Sequence, residues 1–94
     1  MKDYLTIKNK KDESKEYEIL FTFESENTNK KYVTYTDYSK DEDGNIVCYS
    51  SIMDDDGKLS EVNTEKELKM VEELLKTLAE TTKLKYKYYS INID

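Results

Sequence analysis

The stretch that decides the fold runs from Tyr32 to Val62 and is YVTYTDYSKDEDGNIVCYSSIMDDDGKLSEV. It contains segments rich in Tyr, Val and Ile, residue types that favour a pleated, half-buried surface. These segments are separated by two acidic turns, centred on Asp43-Gly44-Asn45 and on Asp56-Gly57. Gly, Asn and Asp tolerate the positive φ that tight hairpins need. The stretch therefore predicts three strands that pair with their neighbours as an antiparallel meander.

Two further strands are predicted upstream of this stretch. Residues 4–7 form a short β-prone segment, and the polar residues that follow connect it to residues 16–24. Apolar and polar residues alternate along residues 16–24, which is typical of a strand, and only Leu20 is out of pattern. We expect one apolar face on this strand, made of Tyr17, Ile19, Phe21 and Phe23.

The hydrophobic period changes from strand to helix at Thr64. The run Thr64-Glu65-Lys66-Glu67 fits a capping box, in which Thr64 accepts the N–H of Glu67 and the Glu67 side chain reaches back to the Thr64 N–H. An apolar stripe follows at helical spacing, with members Leu68, Val71, Leu75 and Leu78, and Leu74 beside them. We expect a helix over residues 65–79 that fades near residues 81 and 82 and docks this stripe on the sheet. Burial of each such side chain is worth roughly 1.5 to 3 kcal/mol.

These elements predict a single α+β domain over residues 1–83. Its architecture is an antiparallel β-meander of about four or five strands with one C-terminal amphipathic helix packed on one face. Residues 84–94 form a Tyr/Lys-rich extension that is either an edge strand or a tail. The strand is favoured because Tyr and Ile suit a pleated surface and Lys protects an exposed edge. Since one helix covers one face, we expect the other face of the sheet to be uncovered.

The composition removes most of the usual catalytic groups. The chain has no His, Arg, Trp, Pro or Gln, so it lacks an imidazole acid or base and a guanidinium clamp. The single Cys48 cannot form an internal disulfide, and without a neighbouring His we expect it to be packed rather than reactive. We predict no catalytic residue, no cofactor and a non-enzymatic role. A carboxylate-based hydrolase is the enzymatic alternative.

Hydropathy predicts a cytoplasmic protein without membrane association. The longest uninterrupted apolar run, Ile46 to Tyr49, is far too short for a signal-peptide core or a membrane span.

Negative charge is concentrated in the middle of the chain. The net charge is −6, and residues 37–73 carry twelve acids against four Lys. Such a field argues against direct nucleic-acid binding and would attract a basic partner, with solubility as the plainer explanation. The predicted partner-binding acidic surface consists of Asp37, Asp41, Glu42, Asp43, Asp54, Asp55 and Asp56.

The first acidic turn matches a calcium-binding loop only in part. Ser39, Asp41, Asp43, Gly44 and Ile46 fall at positions 1, 3, 5, 6 and 8 of an EF-hand loop. Position twelve is Ser50 instead of the bidentate Glu, and strands rather than helices flank the loop. We therefore predict no metal site.

Three blocks resemble a known family: YEILFTFE at residues 17–24, YTD with KDEDGN within residues 35–45, and KL with TEKE within residues 58–67. Over residues 3–80 the chain is similar to the small, acidic, uncharacterised bacterial family called YrzB-like. The resemblance implies a stand-alone cytoplasmic protein of a sheet plus a C-terminal helix, with no established active site. Two features depart from the family: Leu68 stands where similar proteins often have an aromatic residue, and the segment after Leu84 is extra.

Together, these observations predict a binding or regulatory module that acts through protein–protein contacts, with self-association left open. The alternative is an acidic inhibitor that mimics nucleic acid and occupies a DNA- or RNA-binding protein. In that alternative, the acidic residues named above stand in for phosphates.

Overall fold

The sheet is a meander whose strands follow the order of the chain. The computed structural model describes residues 2–8 and 11–89. Its elements are β1 (Tyr4–Lys8), β2 (Ser14–Ser25), β3 (Lys30–Lys40), β4 (Ile46–Met53), β5 (Leu59–Glu61), α1 (Glu65–Thr82) and β6 (Tyr86–Tyr88). Strands β1 to β5 pair antiparallel in that order, and β6 runs parallel to β4. The predicted α+β meander with one helix is confirmed, and the C-terminal extension contributes a strand. The domain division at residue 83 stays a prediction, and residues 90–94 lie outside the described part.

The two acidic turns have the same geometry. They span residues 41–45 and 54–58, and in both the N–H of the first residue donates to the carbonyl of the fifth at 3.0 Å. Each fourth residue is a glycine with positive φ, 80° at Gly44 and 84° at Gly57. This is the three-residue hairpin loop that ends in a left-handed glycine, the conformation that Asp-x-Asp-Gly favours.

A β-bulge divides β2 into two parts that face opposite ways. The pairing with β3 slips by one residue between Ile19 and Phe21, so that Leu20 is extra. Tyr17 and Ile19 pack on one face of the sheet, while Leu20, Phe21 and Phe23 pack on the other, beneath the helix. The prediction of a single apolar face on this strand is therefore wrong. Strict alternation fails because a bulge re-aims every side chain that follows it.

The helix packs Val71, Leu75 and Leu78 of its predicted stripe against one face of the sheet. Val71 and Leu75 are 0% and 4% exposed and contact Ile46 and Cys48 of β4. Cys48 is itself fully buried, as expected, and burial raises the pKa of its thiol to about 12. The thiol is therefore a packing group.

The helix is three residues longer than expected and ends at Thr82. Thr81 and Thr82 donate their hydroxyls to the carbonyls of the residues four positions earlier, at 3.0 and 2.9 Å. This local bonding lets polar β-branched residues complete the last turn. The helix then stops at Lys83, which has a φ of 64° and donates its N–H to the carbonyl of Ala79 at 2.8 Å.

The sheet curls into a half-barrel, and the face opposite the helix forms a second core. Tyr17, Val33 and Tyr35 are buried there. Leu5 of β1 and Leu59 of β5 pack against the same cluster, although they come from opposite ends of the meander. The expected uncovered face is therefore wrong, because the twist of the sheet brings its two ends towards each other.

Hydroxyl groups are buried among the apolar side chains of β3 and β4. The hydroxyl oxygens of Thr34 and Ser50 lie 3.1 Å apart across the strand pair, and those of Tyr35 and Ser51 lie 2.7 Å apart. Among the described residues, every buried side-chain nitrogen or oxygen has a hydrogen-bond partner. The cost of burying these polar groups is therefore offset.

Candidate functional site

The seven acidic residues singled out by the sequence fall into two groups at opposite ends of β4. The first acidic group, Asp37, Asp41, Glu42 and Asp43, lies before the strand, and the second acidic group, Asp54, Asp55 and Asp56, lies after it. The eight residues of β4 span about 26 Å at the usual rise of a strand. The structure therefore does not bring the seven residues together into one surface.

Asp41 and Asp54 direct their carboxylates back into their own turns. Each accepts the backbone N–H groups two and four residues on, at 3.0 and 2.9 Å in the first turn and at 3.0 and 2.8 Å in the second. Asp41 also accepts the hydroxyl of Tyr89 at 2.7 Å. The hydrogen bond from Tyr89, together with those of the turn, lowers the pKa of Asp41 to about 2. Both carboxylates hold the turns in shape.

Asp37 is likewise engaged within the molecule. Its carboxylate lies 2.5 Å from Nζ of Lys15 and accepts the hydroxyl of Ser39 at 2.7 Å, and its side chain is 14% exposed. Burial opposes the charged form, but the hydrogen bonds from Lys15 and Ser39 outweigh it and lower the pKa of Asp37 to about 2. The exposed members of the two groups are Glu42, Asp43, Asp54, Asp55 and Asp56.

The start of the helix holds a buried carboxylate that sequence reasoning assigned only to capping. Glu67 is 2% exposed and accepts hydrogen bonds from the hydroxyls of Thr64, at 2.6 Å, and Tyr32, while Nζ of Lys30 lies 3.9 Å away. The expected bond from the Glu67 N–H to Thr64 is confirmed at 3.2 Å. The sequence predicted that the Glu67 carboxylate accepts the N–H of Thr64, whereas in the structure it accepts the hydroxyls of Thr64 and Tyr32.

The environment of Glu67 keeps it ionised. Burial disfavours its charge, but the hydrogen bonds from Thr64 and Tyr32 and the nearby Lys30 outweigh burial and lower its pKa. No local sequence signal pairs residue 32 with residue 67, because the contact depends on how the helix crosses the sheet. The network joins α1 to β3.

The structure leaves a cleft open between the two end strands of the meander. Among the described residues, β1 pairs with β2 alone and β5 pairs with β4 alone. Residues 6–8 and 57–61 line a groove of about 510 Å³ between them, which we call the end-strand cleft. Ile7 and Leu59 are half-buried at its base and also contact the second core.

Backbone hydrogen-bonding groups of both strands point into the end-strand cleft. The carbonyl of Asp3 accepts the N–H of Ile19 at 2.8 Å, so the alternation of an antiparallel pair turns the N–H and carbonyl of Thr6 away from β2. In the second acidic turn the N–H of Asp54 bonds the carbonyl of Lys58. The same alternation then turns the N–H and carbonyl groups of Leu59 and Glu61 away from β4. An extended chain placed in the cleft could therefore bond to either edge.

Within residues 2–8 and 11–89, no cluster of three or more acidic or cysteine side chains is arranged to hold a metal ion. None of the helical segments described is long and apolar enough to cross a membrane.

Comparison with known proteins places the chain among proteins of unknown function. A family profile described as "Protein of unknown function (DUF1292)" matches residues 11–80. A UPF0473 protein of Listeria monocytogenes serotype 4b is 42% identical over 76 residues, which cover 76% of this chain and 76% of the relative. A UPF0473 protein of Bacillus velezensis is 37% identical over 65 residues, which cover 64% of this chain and 70% of the relative. No solved structure shows a significant match.

These relatives confirm the expectation of an uncharacterised bacterial family, while the narrower likeness to YrzB-like proteins stays a prediction. The match extends from the loop before β2 to the last turns of α1, so it includes both acidic turns and Glu67. The chain belongs to the DUF1292 family of bacterial proteins, whose function is unknown.

Proposed function

We propose that this chain is a small, non-enzymatic, cytoplasmic binding module that takes up an extended segment of a partner protein in the end-strand cleft. One observation carries the proposal: two strand edges with outward-pointing backbone groups face the same groove. Unpaired edges are templates for pairing with another chain, and many binding modules use them in this way. A strand bound here would also close the half-barrel.

The side chains around the cleft indicate what kind of segment would bind. Ile7 and Leu59 at the base favour apolar residues at alternate positions, because alternate side chains of a strand point the same way. The second acidic group flanks the cleft at the turn that leads into β5. Lys8 and Lys58 line the cleft itself, so a basic flank of the partner segment would be attracted where it leaves the cleft beside the second acidic group.

The nucleic-acid mimic is the weaker candidate. A decoy needs one continuous array of carboxylates, whereas the two acidic groups lie at opposite ends of β4. Asp37, Asp41 and Asp54 are also engaged in contacts inside the molecule. We therefore assign the exposed acids a supporting, electrostatic part in partner binding.

Site-specific photo-crosslinking in a Bacillus host tests the proposal. A photoreactive amino acid is placed at Thr6 in one variant, at Ser60 in a second, and at the exposed Glu72 of α1 as a control. We expect Thr6 and Ser60, which lie on opposite sides of the cleft, to capture the same protein, and Glu72 not to capture it. Capture from Glu72 at equal yield would contradict the proposed site.

A proline variant separates strand pairing from general contact. Thr6→Pro removes an N–H that points into the cleft while leaving the bonds from β1 to β2 in place, and Thr6→Ala keeps that N–H. With the photoreactive group at Ser60, we expect Thr6→Pro to abolish capture and Thr6→Ala to preserve it. Equal capture by both variants would rule out binding through the backbone of β1.

A further inference from the structure

The C-terminal segment of the chain occupies a different strand edge, on the first half of β4. Its backbone is held at both ends of β6: the N–H of Ile46 donates to the carbonyl of Lys85 at 2.7 Å, and the N–H of Tyr89 donates to the carbonyl of Cys48 at 2.8 Å. Between these bonds, Tyr86 lies beside Ile46 in a parallel register. This edge of β4 therefore already accepts a strand, supplied by the same chain.

The segment packs against the helix-side core and bonds to the first acidic group. Tyr86 and Tyr88 pack against the helix-side core, while Lys87 between them is exposed. Tyr89 follows, and its hydroxyl donates to Asp41 of the first acidic group at 2.7 Å. Asp43 of the same turn also acts electrostatically on this hydroxyl. The site thus takes aromatic residues at alternate positions and a hydroxyl donor at the end, with the exposed Lys87 between them and its Nζ 5.6 Å from the centre of the Tyr89 ring.

The attachment of this segment is short and lies at the surface. Strand β6 has three residues, and it follows Lys83, a non-glycine residue with a φ of 64°, and Leu84, which is 46% exposed. The segment also lies beyond residues 11–80, which match the family. Few contacts would have to break for it to leave, since its ladder is limited to positions 46–48.

We propose that the edge of β4 at Ile46–Cys48, together with Asp41, is a binding site for a partner segment in which Tyr and Lys alternate, and that residues 84–89 fill this site as an internal competitor. The partner strand replaces β6, covers the same core residues and takes over the hydrogen bond to Asp41. This site is separate from the end-strand cleft and does not depend on the function proposed above.

Peptide binding to the full-length chain tests the inference. The probe is a fluorescently labelled peptide of residues 84–89, LKYKYY, and the measurement is fluorescence anisotropy with the wild-type chain and with the Tyr89→Phe chain. The substitution weakens the internal strand, whereas the probe keeps its own tyrosine. Because the apparent Kd varies inversely with the fraction of open sites, we expect the Tyr89→Phe chain to bind the probe about tenfold more tightly. Equal affinity for the two chains would overturn the proposal.

Matched controls identify the chemistry that is recognised. Tyr4→Phe changes a tyrosine that is 56% exposed on β1 and should leave the apparent Kd unchanged. A probe with both lysines replaced by glutamate should bind the Tyr89→Phe chain at least about tenfold more weakly, since it faces the first acidic group. A glutamate probe that binds as well as LKYKYY would overturn the assignment of Lys to the partner segment. Concentration-dependent dimerisation of the wild-type chain would indicate that two copies exchange their C-terminal strands at this edge. That result would overturn the proposal that the edge binds another protein.

Discussion

Tyr32 is the residue that joins the sheet to the start of the helix. Its ring is 0% exposed and stacks on Phe23 at 4.8 Å, and its hydroxyl donates to the buried carboxylate of Glu67. Tyr32→Phe keeps the stacked ring and removes this hydrogen bond, together with the one between the Tyr32 and Thr28 hydroxyls, whose oxygens lie 2.8 Å apart. Since hydrogen bonds to charged groups contribute about 1.5 to 3 kcal/mol, we expect the free energy of unfolding in urea to fall by about that amount.

The matched control for this change is Tyr4→Phe. Tyr4 is 56% exposed, and substitutions at exposed sites usually change stability by less than about 0.5 kcal/mol. If Tyr32→Phe and Tyr4→Phe unfold at the same urea concentration, the bond from Tyr32 to Glu67 does not stabilise the fold.

Asp37 makes stability depend on acid pH. Its pKa falls from 3.8 to about 2, because its hydrogen bonds from Lys15 and Ser39 outweigh the opposing effect of burial. A lowered pKa means that the contribution is present above about pH 4 and is lost as the pH falls through about 2. We expect wild type to be more stable than Asp37→Asn at neutral pH, and the difference to shrink steadily below about pH 4 to a small fraction at pH 2.

Urea unfolding of both proteins between pH 7 and pH 2 measures this difference. The same comparison in a Lys15→Ala background should show a smaller dependence on pH, because the main partner of Asp37 is gone. A stability difference that is constant over the whole range would contradict the assigned shift.

The acidic turns set the register of β3, β4 and β5. Gly57 has a φ of 84°, and a Cβ added there would meet no atom within 4 Å, so the cost of a side chain is conformational rather than steric. We expect Gly57→Ala to destabilise the protein by about 1 kcal/mol, and Gly57→Asn by less, since Asn enters the left-handed region more readily. Thermal unfolding of the two variants checks the order, and an alanine variant as stable as wild type would contradict it.

The elements differ in how far the sequence could predict them. The acidic turns, β4 and the helix stripe follow from local patterns, because turn residues and helical spacing act over a few neighbours. The bulge at Leu20 and the burial of Glu67 could not be predicted in this way. Both depend on strand or helix partners that are distant in the sequence, Thr34 in one case and Tyr32 in the other.

The same distinction applies to the candidate sites. The sequence correctly placed Asp41 to Asp43 and Asp54 to Asp56 in turns, but it could not show that Asp37, Asp41 and Asp54 are used internally. It also could not indicate the end-strand cleft, since the approach of β1 to β5 arises from the curl of the whole sheet.

The curl gives this short chain two cores on opposite faces of a single sheet. The helix covers one face, and the strands themselves enclose the other around Tyr17 and Tyr35, whose rings meet edge to face at 5.2 Å. A chain of this size can bury only about two-thirds of its unfolded surface, so using both faces of one sheet is important to its stability. The half-barrel stops short of closure, so within the described part of the chain each of its two end strands has one unpaired edge.

Amide hydrogen exchange distinguishes an open half-barrel from a closed one. In β1, the N–H groups of Leu5 and Ile7 face β2, and those of Thr6 and Lys8 face the end-strand cleft. In the free protein we therefore expect slow exchange at Leu5 and Ile7 and fast exchange at Thr6 and Lys8, measured by NMR. Amides of β3 should also exchange slowly, because β3 is paired on both sides. If Thr6 exchanged as slowly as Leu5, β1 would have to be paired on both sides and the cleft would be closed. Protection that appears at Thr6 only when a partner segment is added is the result expected if that segment completes the barrel.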